Sequence, residues 1–359
     1  MRWHTRRQSS GDNSTNLQAG GDINLMGLGY RDVKEVAEGV AMDVFRKNFE
    51  KLSMDAHSIA HARAVEFAHN LVEVIHEREP QSLQSLGEPG VQAAILEAQS
   101  GYARAGDSDL AELLIELLIQ RVSRGERDTT QLAMDRALNV ALNASKQHYS
   151  LLSCNLVLKQ LAYGPVKSTE EVASRLAHSL SPFAADLFEI DPFDLDYLTG
   201  LGCLIATAGK MTPGDYIRMN YPGLFSEGFP VKDVKNPRLM DTPLVRKLEG
   251  GRERYAINAI TVRELHDLAR ANDLSDLYED ACDILWGAAL NPREIENLLV
   301  QHSPELRNSF QRCVTLGLPA YVNTAIGTAI AHSNMRRMHP DFDLTFAGLM
   351  FGPVPRHLW

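Results

Sequence analysis

The chain has 359 residues, 44% of them hydrophobic and 23% charged, with a formal net charge of −10. That length suggests about two domains, each large enough to bury its own core, and the composition is that of an ordinary globular protein. The acidic balance argues against nucleic acid or an anionic membrane surface as the main partner, with Arg2, Arg6 and Arg7 forming a local cationic exception at the start.

Four cysteines, Cys154, Cys203, Cys282 and Cys313, stand too far apart for a zinc knuckle or a CxxC pair. They read as buried thiols of a reducing cytoplasm. No apolar stretch of signal-peptide type follows Met1. The apolar runs at 110–119 and 198–208 fall short of the roughly 18 to 20 residues of a membrane span. Core helices are expected there instead.

In the first residues, amide and apolar side chains alternate from Asn16 onward. An extended strand places Asn16 and Gln18 on one face and Leu17 and Ala19 on the other. Copies stacked in register would ladder the amides about 4.7 Å apart and close the apolar side chains into a dry seam. Gly20 and Gly21 allow a sharp turn that returns Ile23 and Leu25 toward Leu17. The competing reading of 1–29 is a flexible polar tail rich in Gly, Asn, Ser and Asp, in which Asp12 and Asp22 oppose stacking.

Helical spacing begins after Tyr30, with Val33, Val36, Val40, Val44 and Phe45 on one stripe, and extends to about residue 78 with a break near Ser53 or Asp55. His57 and His61 lie one turn apart, but no glutamate stands between them as in a metalloprotease helix, so they read as a polar face. Further helices are expected at 91–102, from Asp107 through the stripe Leu110, Leu113, Leu114, Leu117 and Leu118, and as one helix or a pair over 130–161. Ser168 with Glu171 opens the next.

The stretch 181–236 is broken by Pro182, Pro192, Gly200, Gly202, Pro213, Pro222, Gly223 and Pro230 and reads as short helices, one capped by Thr212. Asp186, Glu189, Asp191, Asp194 and Asp196 form an acidic cluster there. Paired carboxylates can hold a divalent ion or act as acid and base, yet their alternation with Phe188, Phe193 and Leu195 favours a solvated acidic loop. Beyond 237, residues 244–248 and 255–257 suggest a small hairpin around Gly250 and Gly251. Helices are then expected after Thr261, Asn291 and Ser303, and a last one over 324–337.

Four patches carry resemblances. Leu17, Gln18, Ala19 and Gly20 resemble the aliphatic-Gln-x-Gly core of the amyloid motif of necroptosis kinases and of its bacterial signalling counterparts. The run from Gly11 to Ile23 resembles the opening of an uncharacterised, mostly helical bacterial family, and the residues from Thr324 to Asn334 resemble the C-terminal signature of the same family. Leu316, Gly317 and Leu318, followed by Thr324 and Gly327, are similar to the winged-helix-like ends of abortive-infection proteins. Asn323 stands where that family commonly carries leucine, and it reads as a helix cap rather than the end of a strand.

The expectation is therefore a mainly α protein. A flexible N-terminal tail with an assembly motif (1–29) precedes a helical bundle (30–180), an irregular connector (181–236) and a mostly helical C-terminal domain with a small winged-helix-like α+β part (237–359). The resemblances imply a cytoplasmic signalling or defence protein that assembles with itself, as a homo-oligomer, or with a partner bearing a similar motif. The motif is Asn16, Leu17, Gln18, Ala19, Gly20, Gly21, Ile23 and Leu25. No catalytic residue, metal or cofactor is expected. The alternatives are a metal-dependent effector enzyme in the C-terminal half and a DNA-binding regulator whose recognition helix carries His332, Asn334, Arg336 and Arg337.

Overall fold

A computed structural model describes residues 54–122, 128–249 and 253–351. The expected assembly motif and the helical stretch expected at 30–53 lie outside the described residues. Among those residues the protein is mainly helical, with fourteen α-helices and two two-stranded antiparallel sheets.

The first helices follow the sequence signals closely. α1 is Met54–Arg78 and α2 is Pro89–Ala105, closed by Gly106 at a φ of 65°. α3, Ser108–Val122, starts where the Asp107 carboxylate accepts from the backbone of Asp109 and Leu110. The 130–161 pattern is a helix pair, α4 (Thr129–Ala141) and α5 (Lys146–Lys159), divided at a turn that the Ser145 cap ends. α6 is Thr169–Leu180 and α7 is Pro192–Gly200. β1 (Leu204–Ala206) and α8 (Pro213–Asn220) complete the first half.

The second half begins with a hairpin, β2 (Val245–Lys247) with β3 (Tyr255–Ile257), in which Val245 stands opposite Ile257. α9 (Val262–Ala271) and α10 (Tyr278–Gly287) follow, then α11 (Pro292–His302) and α12 (Leu306–Leu316). β4 (Tyr321–Asn323), α13 (Ala325–Met338) and the short α14 (Phe346–Phe351) end the described chain.

α13 is the pivot. It packs on α3, α4 and α5 together, and every residue from Gly327 to Met335 is buried. Its Ala, Gly, Thr and Ser side chains are small, so three helices approach one axis, and no charged stripe marks a solvent face. Its N-terminus is fixed by β4, which pairs antiparallel with β1, Leu204 opposite Asn323. The Thr324 hydroxyl accepts from Gly327 N at 3.1 Å and donates to Gly202 O at 2.6 Å. A Cβ on Gly327 would lie 2.1 Å from the Cys203 carbonyl oxygen, so only glycine permits this approach.

One core runs from Phe67 to Phe346 and includes α13; a second, around Phe229, Leu239, Leu244, Ile257, Leu265 and Leu285, belongs to the hairpin with α9 and α10. This second lobe lies in the chain between α8 and α11, which pack against each other. The cores therefore do not follow the boundaries expected at 180 and 237. Among the described residues, side chains from 295 to 346 help fill the bundle core, the lobe has an interior of its own, and Ala60, Ala64 and Ala103 form a small separate cluster. The hairpin and the helix that carries His332, Asn334, Arg336 and Arg337 sit in different cores. Asn323 is corrected. It ends a strand, with its amide bonded to Leu152 O at 2.9 Å and to Asn155 at 2.8 Å, while Thr324 is the cap.

Candidate functional site

The acidic cluster resolves into local structure. Asp191 and Asp194 form the reciprocal cap of α7, the Asp191 carboxylate accepting from Phe193 N and Asp194 N, and that of Asp194 from Asp191 N. Asp194 also meets His148 Nε2 at 3.0 Å, Asp186 accepts from Ser150 at 2.6 Å, and Glu189 accepts from Gln147 at 2.6 Å. These carboxylates cap helices and tie α5 to the turn before α7.

The four supposed DNA-reading residues face the protein interior or its acids. His332 and Asn334 are buried; Asn334 donates to Ser153 Oγ at 2.9 Å and accepts from Arg337 Nε at 3.2 Å. Arg337 also pairs with Asp109 at 2.6 Å and Glu112 at 3.2 Å, and Arg336 stands 3.6 Å from the buried Glu116, which Arg78 also meets. A helix enclosed in this way cannot enter a DNA groove.

One group of metal-capable side chains does converge among the described residues: His178, His339 and Asp341, with one donor atom from each lying within 4.8 Å of the others. They border a cleft of about 250 Å³ that Tyr163, Arg175, Ser179 and Phe342 also line. His178 sits in the last turn of α6, one turn beyond Arg175, because the apolar positions Val172, Leu176 and Leu180 turn the opposite face into the core. His339 caps the C-terminus of α13, its backbone N–H bonded to Met335 O at 2.8 Å. The 339–344 loop is fastened by Phe342 N to His339 O at 2.9 Å and by the His332 Nε2–H to Leu344 O at 2.6 Å.

The His178 and His339 rings lie 4.8 Å apart between centroids, and the buried His339 ring also packs against Phe183. Its Nε2–H donates to Ser179 O at 3.4 Å. Burial lowers the His339 pKa from its ordinary value, against the opposing pull of that carbonyl. The Tyr163 hydroxyl is sealed from solvent without a well-formed hydrogen bond, and burial raises its pKa. Arg175 pairs with Glu171 at 2.5 Å. Sequence reading passed over this group. The signal it left was the His339, Pro340, Asp341 triplet, two donors two positions apart just past a helix end; nothing near His178 marks it as their neighbour.

A protein-family model described as ":-like" matches residues 27–347. No curated protein and no solved structure matches the chain.

Proposed function

The chain belongs to the ":-like" family over residues 27–347, and from that premise we propose that it is a cytoplasmic signalling or defence protein whose helical body is brought together by an N-terminal assembly motif. One observation carries this reading: the alternation of polar and apolar side chains over 16–25, with amides at Asn16, Gln18 and Asn24 and broken by Gly20 and Gly21, just ahead of the first family-matched residue. The resemblance of Leu17, Gln18, Ala19 and Gly20 to the amyloid motif of signalling proteins supports it.

The mechanism is nucleated polymerisation. Clustering raises the effective concentration of the motifs, strands add to one another through backbone hydrogen bonds, and Asn16 and Gln18 stack as amide ladders while Leu17, Ile23 and Leu25 close the dry seam. The attached bodies then lie side by side, with a second copy or a protein bearing a similar motif as partner. A peptide covering residues 8–30 tests the motif, compared with its Gln18→Asp, Gly20→Pro double variant by dye binding and electron microscopy. Fibres are expected from the native peptide alone. Absence of fibres from both, even at high concentration with seeding, would remove the proposal.

A further inference from the structure

We propose that the cleft between the last turn of α6 and the 339–344 loop is a binding site for a divalent transition-metal ion of the zinc class, ligated by His178, His339 and Asp341 with one coordination position left open to the cleft. Three donors from two separate elements converge on one point. Two imidazoles and a carboxylate offer three donor atoms to one point, all within 4.8 Å of one another.

Two helices add to this convergence. α6 and α13 both end at this cleft, and the unsatisfied carbonyls of helix C-termini favour positive charge. The Ser179 carbonyl that receives the His339 Nε2–H leaves Nδ1 with its lone pair, and metal-binding histidines are commonly oriented by such a second bond. Asp341 is carried on a fastened loop: Phe342 packs on His332 with ring centroids 5.6 Å apart, and His332 holds the Leu344 carbonyl. Arg175 opposes a cation, but Glu171 at 2.5 Å offsets its charge.

The donor set selects the ion. Two imidazoles and one carboxylate suit zinc and its first-row neighbours better than magnesium or calcium, which prefer all-oxygen shells. Zinc bonds of about 2.0–2.2 Å set tetrahedral donors about 3.3–3.6 Å apart. Donor atoms now within 4.8 Å reach that spacing by side-chain rotation, which the exposed His178 and Asp341 permit. Three protein ligands leave the fourth position for water or a small anion.

The test titrates Zn²⁺ into the chelator-treated full chain by calorimetry and follows Co²⁺ by its visible absorption. The expected result is one ion per chain, with tetrahedral Co²⁺ bands. His178→Ala and Asp341→Asn should each weaken binding about 100-fold or more, since even the loss of a supporting partner costs 10- to 100-fold. Both replaced side chains are exposed, so thermal unfolding without metal should match the parent. His266→Ala, at an exposed histidine of α9, should leave the affinity unchanged. Absence of binding, parental affinity in either ligand variant, or an equal loss in His266→Ala would overturn the assignment.

Discussion

α13, of 14 residues, and α9, of 10, meet water in opposite ways. α9 buries only Leu265 and Ala269 and gives its other faces partly or wholly to solvent. α13 is enclosed from Gly327 to Met335 and carries His332, Ser333 and Asn334 inside, each with a hydrogen-bond partner. A one-sided helix draws its stability from a stripe of apolar contacts. An enclosed helix is favoured by small side chains and by partners for its buried polar groups, and on α13 the Thr328 hydroxyl is the exception, buried without one. The first tolerates substitution over most of its surface, and the second almost nowhere.

The strongest way to break this comparison is Gly327→Ala. The new methyl would meet the Cys203 carbonyl, and because backbone cannot rotate aside the cost should reach about 3 kcal/mol, the upper end for overpacking. Urea unfolding measures it; a variant as stable as the parent would mean that α13 does not rest on the Cys203 backbone. In the lobe, Leu265→Ala should cost about 2–4 kcal/mol through the cavity it leaves. Hydrogen exchange should then quicken across 229–285 while α3 and α13 stay protected. Equal loss of protection in both would show the two cores to be one cooperative unit.

A smaller effect is expected from Arg337→Met. The guanidinium side chain is 6% exposed, but Asp109 and Glu112 are 33% and 63% exposed and water takes over part of the pairing. The loss should be about 1–2 kcal/mol, read as a lowered denaturation midpoint. A further effect concerns pH. Lys159 donates to Leu318 O at 2.8 Å and to Tyr321 O, and burial pushes its pKa down to about 8. Between about pH 8 and the ordinary 10.5 the unfolded chain holds a proton that the folded chain has released, so this group adds stability as pH rises. Cys313, pushed up to about 12 by burial, acts in the opposite sense. That thiol is present in both the parent and Lys159→Met, so the parent-minus-variant stability should rise through this window. A flat difference would contradict the burial of that ammonium.

Helix starts were legible because they are local. Thr212, Thr261 and Asn291 accept the backbone bonds their spacing implies, and β2 pairs with β3. Ser303 misled because a turn intervenes: Leu306 N bonds back to Ser303 O at 3.1 Å and α12 begins only there. The enclosure of α13 was not legible, since burial on all faces depends on three helices distant in sequence, and the small polar residues that allow it read equally well as an exposed surface. The His178, His339 and Asp341 group was hidden for the same reason. Its members meet only once α6 and α13 end side by side.

The measurement that bears most directly on the assembly reading is sedimentation of the full chain with and without fibre seeds made from the 8–30 peptide, beside the full-length Gln18→Asp, Gly20→Pro variant. The account predicts that seeds drive the parent into large particles and leave the variant unchanged. Identical behaviour of the two chains would contradict it.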